Sequence, residues 1–213
     1  MRGAVFILIL FNTLQAATVL DRIAVIVGKH VIKQSDINRD LRVTEFLNRA
    51  PLDLSAAARR QSAERLIDQE IIRQEIITGG YERPAESEAT ALEAKLRQDR
   101  FGGSESRMQQ ELARYGLSEQ QLRDELRWQL TVLRFIDQRF RVGVIVMDEE
   151  VRTYYDQHVA ELRRQYPANS SFEALEPKIR SLLEGERVNQ SFDEWLKEAR
   201  SRYQIDYKQG AFE

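Results

Sequence analysis

Asp21 to Ile37, DRIAVIVGKHVIKQSDI, is the stretch that decides the fold of this chain. Its residues from Ile23 to Val27 are apolar and mostly β-branched, which is typical of a short buried strand rather than a helix. Gly28-Lys29 interrupts the run and His30 to Lys33 resumes it, so the pattern predicts a tight hairpin. Ser35 then has the side chain and the position of a helix N-cap.

A hairpin of two strands is marginal alone in water, so this one needs a third strand or a cover. Near the other end of the chain, Tyr203, Ile205 and Tyr207 alternate with polar residues, as in a strand with one wet face. We predict that Tyr203–Tyr207 pairs with the hairpin and that everything between them is helical; the alternative is a frayed tail. The predicted fold is mainly α, with a small antiparallel β element that joins the N- and C-terminal segments.

The composition is that of an ordinary soluble protein, with 42% hydrophobic residues, 31% charged residues and a formal net charge of −2. No basic excess indicates a nucleic-acid-binding protein, so we expect no nucleic-acid partner. Cysteine is absent, which excludes disulfides, thiol catalysis and thiolate metal sites.

Residues 1–17 have the pattern of a secretory signal peptide. Arg2 precedes an apolar run, Ala4–Phe11, which is far too short to span a bilayer. Ala16 and Ala17 offer two cleavage positions; the alternative is an uncleaved N-terminal anchor. The pattern predicts an exported protein that is not inserted in a membrane after cleavage.

Helical periodicity and turn signals divide the rest of the chain. Leu66-Ile67, Ile71-Ile72 and Ile76-Ile77 recur every five residues, which distributes them around a helix and predicts a central element of the bundle. Seven helices are predicted. The first three run from Ser35 to about Asn48, from Ser55 to about Thr78 and from Pro84 to Phe101, and the fourth is a short helix that Gly116 closes. The fifth runs from the Ser118 cap to about Phe140, the sixth from the Asp148 cap to about Gln165, and the seventh from Glu176-Pro177 to about Arg202.

The fifth helix carries two apolar faces. The face that we expect to enter the core contains Leu122, Leu126, Leu130, Leu133, Ile136 and Phe140. The second stripe and the shorter helices before it supply the candidate binding residues, which are Trp128, Val132, Phe135, Phe101, Met108 and Tyr115. Either both faces are packed, or the second stripe lines a groove for unfolded chains.

Five stretches resemble, in order, the chaperone core of the SurA family of bacterial periplasmic folding factors. They are DRIAVIVGKHVIKQSDI (21–37), LIDQEIIRQE (66–75), YGLSEQQLRDELRWQL (115–130), VMDEEVRTYYDQH (146–158) and FDEWLKEARSRYQIDY (192–207). The resemblance covers nearly all of residues 21–208. It implies one core domain over 18–208, with a hairpin at 21–33, helices over 35–165, a C-terminal helix and strand over 172–208, and a tail at 209–213.

The resemblance implies a periplasmic holding chaperone that binds unfolded or extended polypeptides, among them precursors of outer-membrane β-barrels, without a cofactor. Longer relatives carry parvulin prolyl-isomerase modules between the sixth and last helices, where this chain has only residues 166–171. Parvulin sites use paired histidines, whereas His30 and His158 are far apart in the sequence. The turn Gly28-Lys29-His30 also departs from the Asn- and Glu-rich turn of the family. We therefore expect a chaperone core that is not an enzyme.

Motifs of catalysis and of metal binding are missing from the sequence: it has no nucleophile elbow, no phosphate-binding loop and no helical histidine pair. Asp148-Glu149-Glu150 is best interpreted as acidic capping of a helix start, not as a cation site. We expect no catalytic residue, metal or cofactor. The competing hypothesis is a non-catalytic helical adaptor or structural domain that docks one folded envelope partner.

The targeting pattern gives a first test. Because Arg2, the apolar run and Ala16-Ala17 follow the order of a cleaved export signal, mass spectrometry of the protein from its native host should show a mature N-terminus after Ala16 or Ala17. Intact Met1 in a membrane fraction would contradict this prediction.

Overall fold

The computed structural model describes residues 21–212, and within this range the chain forms seven α-helices and one three-stranded antiparallel sheet. This confirms a mainly helical fold with a small β element. The elements are β1 (Ile23–Val27), β2 (His30–Lys33), α1 (Gln34–Asn48), α2 (Ala56–Gly79), α3 (Glu86–Phe101), α4 (Glu105–Arg114), α5 (Glu119–Ile136), α6 (Asp148–Gln165), α7 (Phe172–Ser201) and β3 (Ile205–Tyr207). A π-helical turn, Asp137–Arg141, continues α5.

The predicted signal peptide, residues 1–17, lies outside the described residues. Between residues 21 and 212, no helix is both long enough and apolar enough to cross a membrane.

The two ends of the described chain meet in the sheet, as predicted. Its strand order is β2-β1-β3, and both neighbours run antiparallel to β1. Val25 lies opposite Tyr207 and Val27 lies opposite Ile205. Gly28 has φ 59°, which the hairpin turn requires, and its N–H donates to the carbonyl of Gln204 at 2.9 Å. The pairing is confirmed, so this segment is not a frayed tail, but the strand is shorter than predicted and begins at Ile205 instead of Tyr203.

Ser35 is not the N-cap of α1, which corrects the sequence prediction. β2 runs directly into α1, so that Lys33 is the cap, and its N–H donates to the Asp36 carboxylate at 3.0 Å. Ser35 instead lies in the first turn, where its backbone N–H and its hydroxyl both donate to Asp21. The hydroxyl hydrogen bond holds the pKa of the Asp21 carboxyl below its usual value.

The last two helices begin earlier than the cap and proline signals in the sequence predict. α6 starts at Asp148 itself because Met147 is the cap, with its N–H bound to the Glu150 carboxylate at 2.8 Å. α7 begins at Phe172 because the Ser171 side chain accepts from the N–H of Ala174. Pro177, expected at the start, lies in the second turn of the helix, where it removes one backbone hydrogen bond.

α2 is buried by several neighbours, although less completely than its sequence suggests. It packs against α1, α7 and the sheet, and Ile67, Ile71 and Ile76 are almost fully buried. Ile77 is 52% exposed, so one end of this helix has an uncovered side.

Ala211 and Phe212, which lie in the segment predicted to be a tail, pack on the core. Ala211 is buried in the cluster that holds the sheet against α1, α2 and the end of α7, and Phe212 packs on the same cluster. The side-chain amide of Gln34 donates to the carbonyls of Gly210 and Ala211 at 3.2 and 3.1 Å. These contacts fasten the chain end to the start of α1.

Deleting Tyr203–Glu213 should lower the free energy of unfolding by several kcal/mol. The deletion removes β3 and Ala211 and uncovers Val25 and Val27, and each fully buried apolar side chain contributes about 1.5–3 kcal/mol to a total of about 5–15 kcal/mol. The denaturant midpoint measures the loss. Gln204→Ala, which alters an exposed side chain of the same segment, should leave the midpoint nearly unchanged. An unchanged midpoint in the deletion variant would contradict the role of β3.

Candidate functional site

An open groove of about 460 Å³ lies between α2, α5 and α7. Its apolar surface is formed by Ile72, Trp128, Val132, Leu133, Phe192 and Leu196. Polar side chains surround this surface, and they are Arg65, Asp68, Gln69, Glu125 and Gln129. Leu133 is 63% exposed, so the groove presents a large apolar side chain to solvent. An apolar surface within a polar rim is typical of a recognition site.

The groove exists because α5 buries different sides at its two ends. Leu122 and Leu126 enter the cluster formed with α1 and α4, whereas Phe135 enters the cluster formed with α2 and α7. Phe135 follows Leu126 by nine residues, which is two and a half turns at 3.6 residues per turn, so the two side chains lie on opposite sides of the helix. Leu133, expected in the core, is therefore turned outward, and the prediction of one continuous buried face is wrong at this residue.

Two of the six candidate residues, Trp128 and Val132, line the groove. Their predicted companion Phe135 does not, because it is fully buried, with its ring centroid 4.9 Å from that of Tyr81 and 5.4 Å from that of Trp195. Trp128 and Val132 of the second stripe therefore line a groove, whereas Phe135 of the same stripe is packed in the core.

The other three candidates lie in a different cluster. Met108 is fully buried, so it is not available for binding. Phe101 and Tyr115 are partly buried around Phe46, with ring centroids 6.5 and 5.7 Å from it. The Tyr115 hydroxyl also donates to the carbonyl of Ala50 at 2.9 Å. These three residues stabilise the packing of α1 against α4, and none lines the groove.

The sequence did not single out four residues that line the groove: Ile72, Leu133, Phe192 and Leu196. Ile72 was predicted to lie in a helix that is covered on several sides, whereas Leu133, Phe192 and Leu196 were predicted to lie on the buried faces of their helices. A helical pattern shows that a face is apolar, but not whether another element covers it. No signal in the sequence alone separates these residues from the core.

Trp128 is the shared wall of three neighbouring depressions. Besides the groove, it lines a pocket of about 240 Å³ with Arg73, Arg83 and Arg127, and a pocket of about 300 Å³ that extends to α1. The Arg73 guanidinium lies 4.8 Å from the centre of its ring. This stacking fixes the indole between the depressions.

Two carboxylates in the groove wall are poorly hydrated. Burial raises the pKa of Glu125, which receives a hydrogen bond from the Gln129 amide at 3.0 Å and forms no ion pair with any described residue. Burial also raises the pKa of Asp68, although hydrogen bonds from Arg200 oppose the rise. Ionisation of Glu125 beside this apolar surface therefore lowers the stability of the folded state.

An aromatic cluster supports the groove from behind. The Phe140 ring centroid lies 5.7 Å from those of both Phe192 and Trp195. The Arg139 guanidinium lies 5.3 Å from the Trp195 ring centre and donates to the Tyr81 hydroxyl at 2.9 Å. The π-helical turn that carries Arg139 and Phe140 thus joins α5 to α2 and α7, which positions the groove walls.

The two histidines lie on different elements, His30 in β2 and His158 in α6. His30 Nδ1 lies 3.1 Å from Glu70, and the ring of His158 stacks on Tyr154 with centroids 4.1 Å apart. Over residues 21–212, no group of three or more His, Asp or Glu side chains is placed to hold a metal ion. The acids at the start of α6 bind Arg180 and Arg187, consistent with their interpretation as a helix start.

No protein-family model matches the chain, and no curated protein matches it in sequence. The resemblance to the SurA family stays a prediction.

Glu125→Gln should stabilise the protein at pH 7. A carboxyl whose pKa is raised on folding binds its proton more tightly in the folded state. Its contribution to the free energy of unfolding is therefore complete below the unfolded pKa of about 4.3. This contribution is lost as the pH rises through the folded pKa. The neutral variant avoids this loss. Its denaturant midpoint should exceed that of the parent at pH 7, and the difference should shrink near pH 4.

Glu161→Gln is the matched control, because Glu161 is exposed on α6. It should show no comparable dependence on pH. A Glu125→Gln variant that is less stable than the parent at pH 7 would show that the ionised carboxylate is favourably held.

Proposed function

We propose that this protein holds unfolded or extended polypeptides in its α2–α5–α7 groove. The observation that carries the proposal is the open apolar surface around Trp128 and Leu133, which no part of residues 21–212 covers. An extended segment in such a groove buries its apolar side chains without needing a fold of its own. Aromatic anchors supply much of the energy at recognition surfaces, and Trp128 is suited to that role.

The rim suits clients of varied sequence. Gln69 and Gln129 each carry an amide that both donates and accepts hydrogen bonds. Such side chains pair with the backbone of an extended segment whatever its side chains are. The groove therefore combines apolar contact with hydrogen bonding that does not read sequence, as a holding chaperone requires.

The sequence supports a particular setting for this activity. The signal-peptide pattern supports an exported protein, and the resemblance to the SurA family supports a periplasmic chaperone for outer-membrane β-barrel precursors. The proposal requires no cofactor and no prolyl-isomerase activity. Release follows when folding or membrane insertion of the client competes for its apolar residues.

A second candidate function rests on the connector between the π-helical turn and α6. Val142, Ile145 and Met147 are 81%, 72% and 64% exposed. Arg180 donates to the Val146 carbonyl at 2.7 Å and Arg187 donates to the Ile145 carbonyl, so the backbone is held while its apolar side chains face solvent. This surface favours an adaptor that docks one folded partner.

Aggregation of an unfolded β-barrel protein separates the two candidates. A chaperone at stoichiometric amounts suppresses aggregation, measured by light scattering, and does not bind the folded form of the same protein. Failure to suppress aggregation would contradict the proposed function. Suppression that is lost in Val142→Ser with Ile145→Ser, but kept when the groove is altered, would move the binding surface to the connector.

Replacing Trp128 and Leu133 with Gln should reduce aggregation suppression at least fivefold, because truncating an anchor residue at a recognition surface costs more than about 1 kcal/mol. The variant should stay folded because Leu133 is largely exposed and Trp128 partly exposed. The control is Ile77→Gln with Leu182→Gln, which removes two exposed apolar side chains outside the groove.

The control variant should suppress aggregation as the parent does. Thermal melting of all three proteins shows whether the loss reflects binding or unfolding. Full suppression by a folded Trp128→Gln and Leu133→Gln variant would rule out the groove as the client site.

A further inference from the structure

Three arginines line the pocket that lies on the other side of Trp128 from the groove. This arginine pocket, of about 240 Å³, is lined by Arg73, Ile76, Arg83, Asp124, Arg127, Trp128 and Thr131. Arg73 is engaged by Glu70 and by the indole of Trp128. The side chains of Arg83 and Arg127 form no ion pair or hydrogen bond with any of residues 21–212.

The arginine pocket has an excess of positive charge. Asp124 is the one acid in its lining, and its carboxylate accepts a hydrogen bond from the Gln120 amide while forming no ion pair with a described arginine. Arg73 is already paired with Glu70, whereas Arg83 and Arg127 are exposed, so their guanidinium groups are accessible to an anion from solvent. Guanidinium groups match a carboxylate because their N–H groups donate in a fork that both of its oxygens accept.

The position of Trp128 connects the arginine pocket to the groove. A segment whose apolar side chains contact the groove side of the indole continues past it within one or two residues, at about 3.3 Å per residue when extended. A side chain at that point lies beside the pocket that Arg83 and Arg127 line. An open groove holds internal segments as well as chain ends, so a side chain suits the pocket better than a terminal carboxylate.

We propose that the arginine pocket binds the carboxylate of an Asp or Glu side chain in a client segment whose neighbouring apolar side chains occupy the groove. The proposal rests on the proposed function and adds a preference to it. Apolar segments that contain an acidic residue bind more tightly than neutral segments of equal hydrophobicity.

Two peptides test the proposal. Both carry the same aromatic and aliphatic residues, with acetylated and amidated ends, and differ by one Glu or Gln. Fluorescence anisotropy should show binding about tenfold tighter for the Glu peptide, as expected for charge-assisted hydrogen bonds. In the variant with Arg83→Gln and Arg127→Gln the preference should fall below twofold.

The control variant, Lys95→Gln with Arg163→Gln, removes the same charge from exposed positions outside the arginine pocket. It should keep the tenfold preference, which separates local recognition from the effect of net charge. A preference that persists without Arg83 and Arg127 would overturn the assignment of the pocket.

Three other results would also overturn the proposal. Equal affinities for the two peptides would exclude carboxylate recognition and leave the groove intact. A Gln peptide with a free C-terminal carboxylate that gains the same arginine-dependent affinity would assign the pocket to chain ends. Binding of neither peptide would refute the proposed function and this inference with it.

Discussion

The pairing of β1 with β3 is the interaction on which the rest of the structure depends. Val27 lies opposite Ile205, and the Lys208 N–H donates to the Ala24 carbonyl at 2.9 Å, so the last strand is bound along the first. Because β3 follows α7 after a short turn, this pairing brings the end of α7 back to the sheet. The burial of Ala24, Val25 and Val27 against the helices offsets the entropy lost in closing so long a loop.

The return of α7 also creates the third wall of the groove. α2 lies between α1 and α7, so Phe192 and Leu196 of α7 reach the surface beside Ile72 of α2. α5 then crosses this surface with Phe135 inward and Leu133 outward. The groove thus lies where three helices meet and no other element within residues 21–212 covers them.

Charge is distributed unevenly around Trp128. On the groove side, Glu125 and Asp68 are carboxylates whose pKa values are raised by burial. On the other side, Arg83 and Arg127 have no partner among the described residues. Ionising a carboxyl group that burial has partly desolvated lowers the stability of a folded protein, and such groups are found preferentially at functional sites. The surface around Trp128 is therefore apolar at its centre, with carboxylates on one side and arginines on the other.

The sequence alone determined the local elements of this protein. The turn at Gly28, the capping box of Ser118 and Gln121 and the hairpin strands follow from interactions between residues close in the chain, and the structure has them where they were predicted. Two helix starts were misplaced. Ser35 binds Asp21 and does not cap α1. α7 begins before Pro177 because Ser171 caps it earlier in the chain.

Only the tertiary structure decided which apolar residues are covered. Trp128 and Val132 were predicted to form one stripe with Phe135, yet Phe135 is core and Leu133, predicted to be core, lines the groove. The hydrophobic effect drives apolar faces to be buried but has no direction of its own, so it does not specify which face finds a partner. That choice depends on where α2 and α7 lie, and their places follow from the pairing of the two chain ends.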